Sequence, residues 1–209
     1  MSGSRTDRPD QVERTLCLDF ANTVSGRTSA QPNDRLTSYL ELVAWARLAG
    51  ILKPEKAEQL LANAEKQPEV AGAVLRRGVG LREALYRVFS ASAVALPPRE
   101  ADLGTLNEIL AVAMSRLRLE HDMVGYGWTW VESDELDQLL WPIARSAAEL
   151  LTSEELQRVR ECAGDSCEWL FLDMSKNQSR RWCDMNDCGN RAKARRHYQR
   201  VRAAGTASG

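Results

Sequence analysis

Two cysteine pairs, Cys162 with Cys167 and Cys183 with Cys188, restrict the fold of this 209-residue chain more than any other feature. Four residues separate the members of each pair, and fifteen lie between the pairs. A tetrahedral zinc is served by two such short loops, each presenting two sulfurs, joined by a span long enough to bring the pairs together. The spacing therefore predicts one structural Zn2+ on Cys162, Cys167, Cys183 and Cys188, with no coordination position open for catalysis. Reduced thiols gathered without a metal are the competing reading, and the aromatic residues between the pairs weigh against it. The fifth cysteine, Cys17, stands between Leu16 and Leu18 and reads as a small buried hydrophobe.

Between the pairs, Trp169, Phe171 and Trp182 are bulky residues in a segment too short to bury much else. They are expected to form a miniature core beside the metal, on a strand over 168–172 and a returning strand near Trp182, with a turn at 175–179. Past Cys188 a helix is expected to about 202. Its Ala194, His197, Tyr198 and Val201 fall on one stripe that could dock on the zinc core. Residues 174–204 hold nine basic side chains against Asp184 and Asp187, a surplus of seven cations. As the whole chain is −1, the remainder stands at −8. A basic end on an acidic body points to a polyanionic partner. Lys176, Arg180, Arg181, Asn190, Arg191, Lys193, Arg195, Arg196 and Arg200 are the expected nucleic-acid contacts, with Asn190 also placed to cap the helix. Arg191 in the first turn works against the helix dipole, a local cost that suggests use.

Upstream, helical periodicity dominates. Asp19 and Asn22 lie three apart on a short apolar helix and are read as tying down the loop that follows. Asp34 is expected to cap the next helix, which buries Leu36, Leu40, Val43, Ala44 and Leu48 and stops at Gly50. Pro54 opens another. Residues 68–96 form a long helix or a broken pair, since Gly78 and Gly80 weaken its middle. After a helix around Leu106, a β-hairpin is expected where Trp128 and Trp130 alternate with Thr129. Ser133 is expected to start a helix kinked at Pro142, and Thr152 with Glu155 to open one running into Cys162. Trp45, Trp128, Trp130 and Trp141 read as core rather than pocket lining.

The fold class is thus mainly α: a helical domain over 12–160 with one small β-hairpin, then over 161–204 a small zinc-ribbon-like finger of short strands and a basic helix. No apolar run approaches the roughly 20 residues of a membrane span, and the polar stretch 1–12 reads as neither signal nor anchor, so a cytoplasmic protein is expected. Glycine-rich phosphate loops, paired-histidine metal motifs and nucleophile elbows are missing, and the chain has only two histidines. An enzyme is not expected.

The segments 162–167 (Cys-Ala-Gly-Asp-Ser-Cys), 169–173 (Trp-Leu-Phe-Leu-Asp), 179–183 (Ser-Arg-Arg-Trp-Cys) and 188–191 (Cys-Gly-Asn-Arg) together resemble the CGNR zinc finger, named for the last tetrapeptide. Leu-Asp-Phe-Ala-Asn-Thr at 18–23 and the stretch 130–151 resemble the ABATE domain, described as belonging to stress-induced transcription regulators. The resemblance implies zinc on the four cysteines and DNA binding by the finger. It leads to the expectation of a transcriptional regulator whose helical domain serves as sensor or dimerisation module, with a small-molecule effector and a homodimer as accompanying expectations. The alternative is a small-molecule-binding or enzymatic N-terminal domain whose finger docks RNA or protein.

Overall fold

Helical periodicity decides the architecture, and a computed structural model describes it over residues 9–206 apart from 122, 124 and 166. Seven helices are present among the described residues: α1 (Pro9–Ala21), α2 (Tyr39–Leu48), α3 (Pro54–Lys66), α4 (Pro68–Ala93), α5 (Glu100–Arg116), α6 (Trp141–Leu151) and α7 (Asn190–Thr206). Three antiparallel strand pairs join them: β1 (Val24–Ser25) with β2 (Asn33–Asp34), β3 (Leu117–His121) with β4 (Tyr126–Trp130), and β5 (Val159–Glu161) with β6 (Leu170–Leu172). The fold is mostly helical, as the sequence implied. Most of the stretch 1–12 lies outside the described residues, and no described helix is long and apolar enough to cross a membrane.

α6 lies between α1 and α5, and α4 packs against α1, α2, α3 and α5. Phe20, Leu42, Leu60, Leu81, Leu85, Phe89, Leu139, Ile143 and Leu150 fill their common core. Within it the Cys17 N–H donates to Ser146 Oγ at 3.1 Å, tying α1 to α6, and burial pushes the Cys17 thiol up to about 12. α4 runs unbroken for 26 residues. Gly78 does not weaken it, because the missing side chain is what lets the helix approach: a Cβ there would lie 3.3 Å from Leu140 Cδ2 and 3.4 Å from Leu42 Cδ2. Gly50 ends α2 at a φ of +77°, which glycine adopts without strain.

Local signals failed where a longer-range partner competed. Asp34 caps no helix; it accepts two hydrogen bonds from buried Arg82, at 2.6 and 2.8 Å, and Ser38 caps α2 instead. Shifting that start turns Tyr39, Leu42, Val43 and Ala46 inward and leaves Leu40, Ala44 and Leu48 exposed. Ser133 starts no helix either. A 3-10 turn over Gln138–Leu140 leads into α6, and Pro142, which lacks an N–H, sits in the first turn, where none is needed, and makes no kink. Thr152 bonds back to the Ala148 carbonyl, and a 3-10 turn over Glu154–Arg158 runs into β5 rather than into a helix. Of the tryptophans, Trp141 is buried, Trp45 packs on Phe20 and Trp130 on Trp141, but Trp128 is exposed on the hairpin.

Candidate metal centre

β5 and β6 place the metal centre on the helical body. Side chains alternate along a strand, so Leu170 and Leu172 of β6, with Val159 of β5, turn into the large core, and Phe171 turns the other way, toward Cys162, Cys167 and Cys188. The boundary expected near 160 falls inside β5, whose partner β6 serves both cores. Asn22, at the end of α1, fixes the same strand: its Nδ2 donates to the Leu170 carbonyl and its Oδ1 accepts from the Leu170 N–H, each at 2.8 Å. This corrects the reading of Asn22 as a loop tie. The 26–32 loop is closed by the β1–β2 pair and by Arg27, which donates to the Ala21 carbonyl at 2.7 Å and stacks on Tyr86.

The hairpin hands the chain to the first pair of ligands. Cys162 N–H donates to the Trp169 carbonyl, and Ala163 N–H to the Arg181 carbonyl, each at 2.8 Å. The second bond is a single backbone link between the 163 and 181 segments and not a strand ladder; β6 pairs with β5, and no strand is formed at Trp182. Between the ligand pairs, Asp173 is fully buried and accepts from the N–H groups of Ser175 and Arg180, both at 2.9 Å, closing the turn. Burial works against its charged form, yet these bonds hold the carboxyl below its ordinary value.

The four sulfurs of Cys162, Cys167, Cys183 and Cys188 all lie within 4.8 Å of one another, and none is in a disulfide. Cys167 Sγ is 3.6 Å from Cys183 Sγ, which is 3.7 Å from Cys188 Sγ. A tetrahedron with Zn–S bonds of about 2.3 Å has sulfur–sulfur edges of about 3.8 Å, so these residues can hold one zinc ion. Three donors point at the sulfurs: Cys162 Sγ accepts from the N–H groups of Gly164 and Cys183, at 3.4 and 3.3 Å, and Cys188 Sγ from Arg191 Nη2 at 3.1 Å. The Cys183 thiol beside it lowers Cys167 to about 5, whereas the Cys167 bond raises Cys183 and burial raises Cys188 to about 11. Gly164 completes the cradle, since a Cβ there would stand 3.2 Å from Cys188 Sγ and 3.4 Å from Cys162 Sγ. Trp169 and Trp182 pack against the cluster with Phe171, forming the miniature core that the composition of the segment suggested.

The second ligand pair launches the basic helix. Asp184 accepts from the N–H groups of Asn186 and Asp187, a π-helical turn follows over Met185–Gly189, and α7 continues from it. Asn190 is therefore not the cap; its amide donates to the Asn186 carbonyl at 2.9 Å. Arg191 is the second residue of α7 and follows the π-helical turn, and its charge is met by Cys188 Sγ and by Asp187 at 3.3 Å. The docking stripe is not formed: Ala194, His197 and Tyr198 are exposed, and the Val201 side chain lies outside the described residues. α7 meets the finger through half-buried Ala192 and through the long side chains of Arg191, Arg195 and Arg196 rather than through an apolar stripe.

The expected nucleic-acid contacts divide by their partners. Arg180 is used inside the finger, donating to the carbonyls of Trp182 and Cys183 and lying 4.9 Å over the Phe171 ring. Arg195 pairs with Asp165. Arg181 and Arg196 both lie over the Trp182 ring, at 5.6 and 6.0 Å. Lys176, Lys193 and Arg200 are exposed. Asp165, which the charge reading passed over, sits among these arginines because the 162–167 loop folds back toward α7.

Residues 14–154 match the family model ABATE, described as "Putative stress-induced transcription regulator", and residues 158–201 match the CGNR zinc finger. No curated protein matches the chain.

Proposed function

The chain belongs to the ABATE family and carries a CGNR zinc finger, and from that premise we propose that it regulates transcription by binding duplex DNA through α7 and the neighbouring turn. The observation that carries this reading is the exposure of α7: every residue from Lys193 to Arg200 is exposed. Helices in proteins draw most of their stability from packing an apolar face. This one buries almost none and is cationic nearly all round, so its surface is matched to a partner rather than to its own fold. The major groove, about 12 Å wide, admits a helix of this kind. Lys193, Arg196 and Arg200 lie at i, i+3 and i+7 on one flank, where they would meet phosphates, and Lys176 extends the basic surface into the 174–179 turn.

In this proposal the zinc ion is structural. Four thiolates fill its coordination shell, and what the metal supplies is a fixed origin for α7. The helical body holds that origin through Asn22 and β6, so the helix is presented at a set angle to the body.

The test is fluorescence anisotropy of labelled duplex DNA with the zinc-loaded full chain, from about 50 to 200 mM salt. The log–log slope is expected near −0.9 for each phosphate contacted. Lys193→Ala with Arg200→Ala should make the slope shallower by about two such contacts. Absence of duplex binding at about 50 mM salt would overturn the proposal.

A further inference from the structure

Beside the metal lies a cleft of about 370 Å³, between the 163–165 loop, Trp182 and the first turns of α7. Four guanidinium groups line it, those of Arg181, Arg191, Arg195 and Arg196. Two have acidic partners: Arg191 has Asp187 and Arg195 has Asp165. Arg181 and Arg196 have no acidic partner among the described residues, and both lie over the one Trp182 ring. The ring face attracts each cation, but two like charges gathered on one indole repel each other. That arrangement is stabilised by an anion between them.

We infer that this cleft is a binding site for a phosphate group, held by the paired forks of Arg181 and Arg196 on Trp182 and by Arg195 at its rim. Each guanidinium offers parallel N–H donors at the spacing of two phosphate oxygens, which is the geometry of bidentate recognition. Asp165 acts as a stand-in. Its carboxylate holds Arg195 while the cleft lacks a phosphate, in a pair with side chains 52% and 67% exposed, and an entering dianion displaces it. Such an exposed pair is weak and readily exchanged. The zinc–thiolate cluster next to the cleft carries a net charge of about −2, and this local anion limits non-specific attraction, so the forks and not bulk charge select the ligand.

The phosphate could come from a DNA backbone or from a free phosphorylated small molecule. Only the first source rests on the function proposed above. The experiment uses the zinc-loaded full chain, labelled with 15N, titrated with inorganic phosphate at constant ionic strength. The Trp182 indole N–H and the Arg181 and Arg196 Nε–H signals are expected to shift along one saturable curve, while the Arg200 signal stays in place. Arg181→Lys with Arg196→Lys keeps the charge and removes the forks, and should weaken phosphate binding at least about tenfold. Asp165→Asn should tighten it several-fold, a direction that loss of a merely structural ion pair would not give. Linear, unsaturable shifts, or equal shifts at Arg200, would overturn the inference.

A second arm separates the sources. If duplex DNA competes with inorganic phosphate for the Trp182 signal, the site grips the DNA backbone. If adenosine monophosphate competes and duplex DNA does not, the site takes a small phosphorylated ligand. A chain that binds phosphate in the cleft but no duplex would sink the DNA reading and keep the cleft. A chain that binds duplex with unaltered cleft signals would do the reverse.

Discussion

Asn22 and Leu170, 148 residues apart, exchange two hydrogen bonds of 2.8 Å, so one amide side chain completes the backbone bonding of β6 as a third strand would. Leu170 is 2% exposed, which leaves its N–H and C=O no ready access to water if the amide is removed. Asn22→Ala is expected to cost about 2–3 kcal/mol, lowering the melting temperature by roughly 5–10 °C. Asn22→Asp should not rescue it, since a carboxylate accepts from the Leu170 N–H but cannot donate to the carbonyl. Thermal melts of the three proteins check this, and equal melting temperatures would refute the clamp.

Zinc removal should act unequally along the finger. β5 and β6 are held by the large core and by Asn22, whereas 183–206 are held by the thiolates and by polar contacts such as Arg180 with the Cys183 carbonyl and the exposed Arg195–Asp165 pair. Chelation is expected to abolish amide protection over 183–200 while Leu170 and Leu172 keep theirs, as read by hydrogen exchange. Loss of protection at Leu170 together with α7 would show that the metal also sustains the hairpin.

Gly164→Ala tests the cradle. The added methyl would meet two of the four sulfurs, at 3.2 and 3.4 Å, and the 162–167 loop would have to open to accept it. Zinc affinity measured by competition with a chromophoric chelator should fall about 10- to 100-fold, as for other changes just outside the ligands, with the melting of the metal-free protein unchanged.

Two buried ion pairs should respond differently to loss of their acid. Asp34→Ala leaves Arg82, whose side chain is 3% exposed, with Glu83 at 2.9 Å to meet its charge, and should cost about 3–4 kcal/mol. Asp102→Ala releases Arg87 and Arg99, already 42% and 66% exposed, and should cost less, about 1–3 kcal/mol.

Both carboxyls titrate below their ordinary value. For Asp102 the chief cause is the Arg87 hydrogen bond; for Asp34 burial opposes the shift and the Arg82 fork overcomes it. Their contribution is therefore complete above the unfolded value of about 3.9 and is lost as the pH falls through the folded one. Chemical denaturation at pH 7, 4 and 3 should give a shallower acid loss in Asp34→Asn than in the parent.

The metal centre was legible because its signal is local. Cysteine spacing and the aromatics Trp169, Phe171 and Trp182 lie within one short segment, and the chain has no other way to use them there. The predominance of helix followed from periodicity for the same reason, although the helix expected to run from Thr152 into Cys162 is a 3-10 turn and a strand. What escaped the sequence depended on distant partners. Asn22 looks like any polar residue at a helix end until Leu170 arrives from the other end of the chain. The local cap signals of Asp34 and Thr152 yielded to Arg82 and to the turn into β5. The α7 stripe was a correct pattern without a surface to receive it: Ala194, His197 and Tyr198 are exposed, and the helix meets the finger through arginines instead. Charge counting found the arginines but not Asp165, which a loop brings back to them.

The alternation along β6 has a practical meaning for anyone who would treat the finger as a portable part. A fragment cut at 158 keeps all four cysteines and α7, and it also carries Val159, Leu170 and Leu172 with nothing to cover them. Excised, it would gain zinc and lose solubility. A graftable version needs those three positions made polar, or must bring α1 along as its lid.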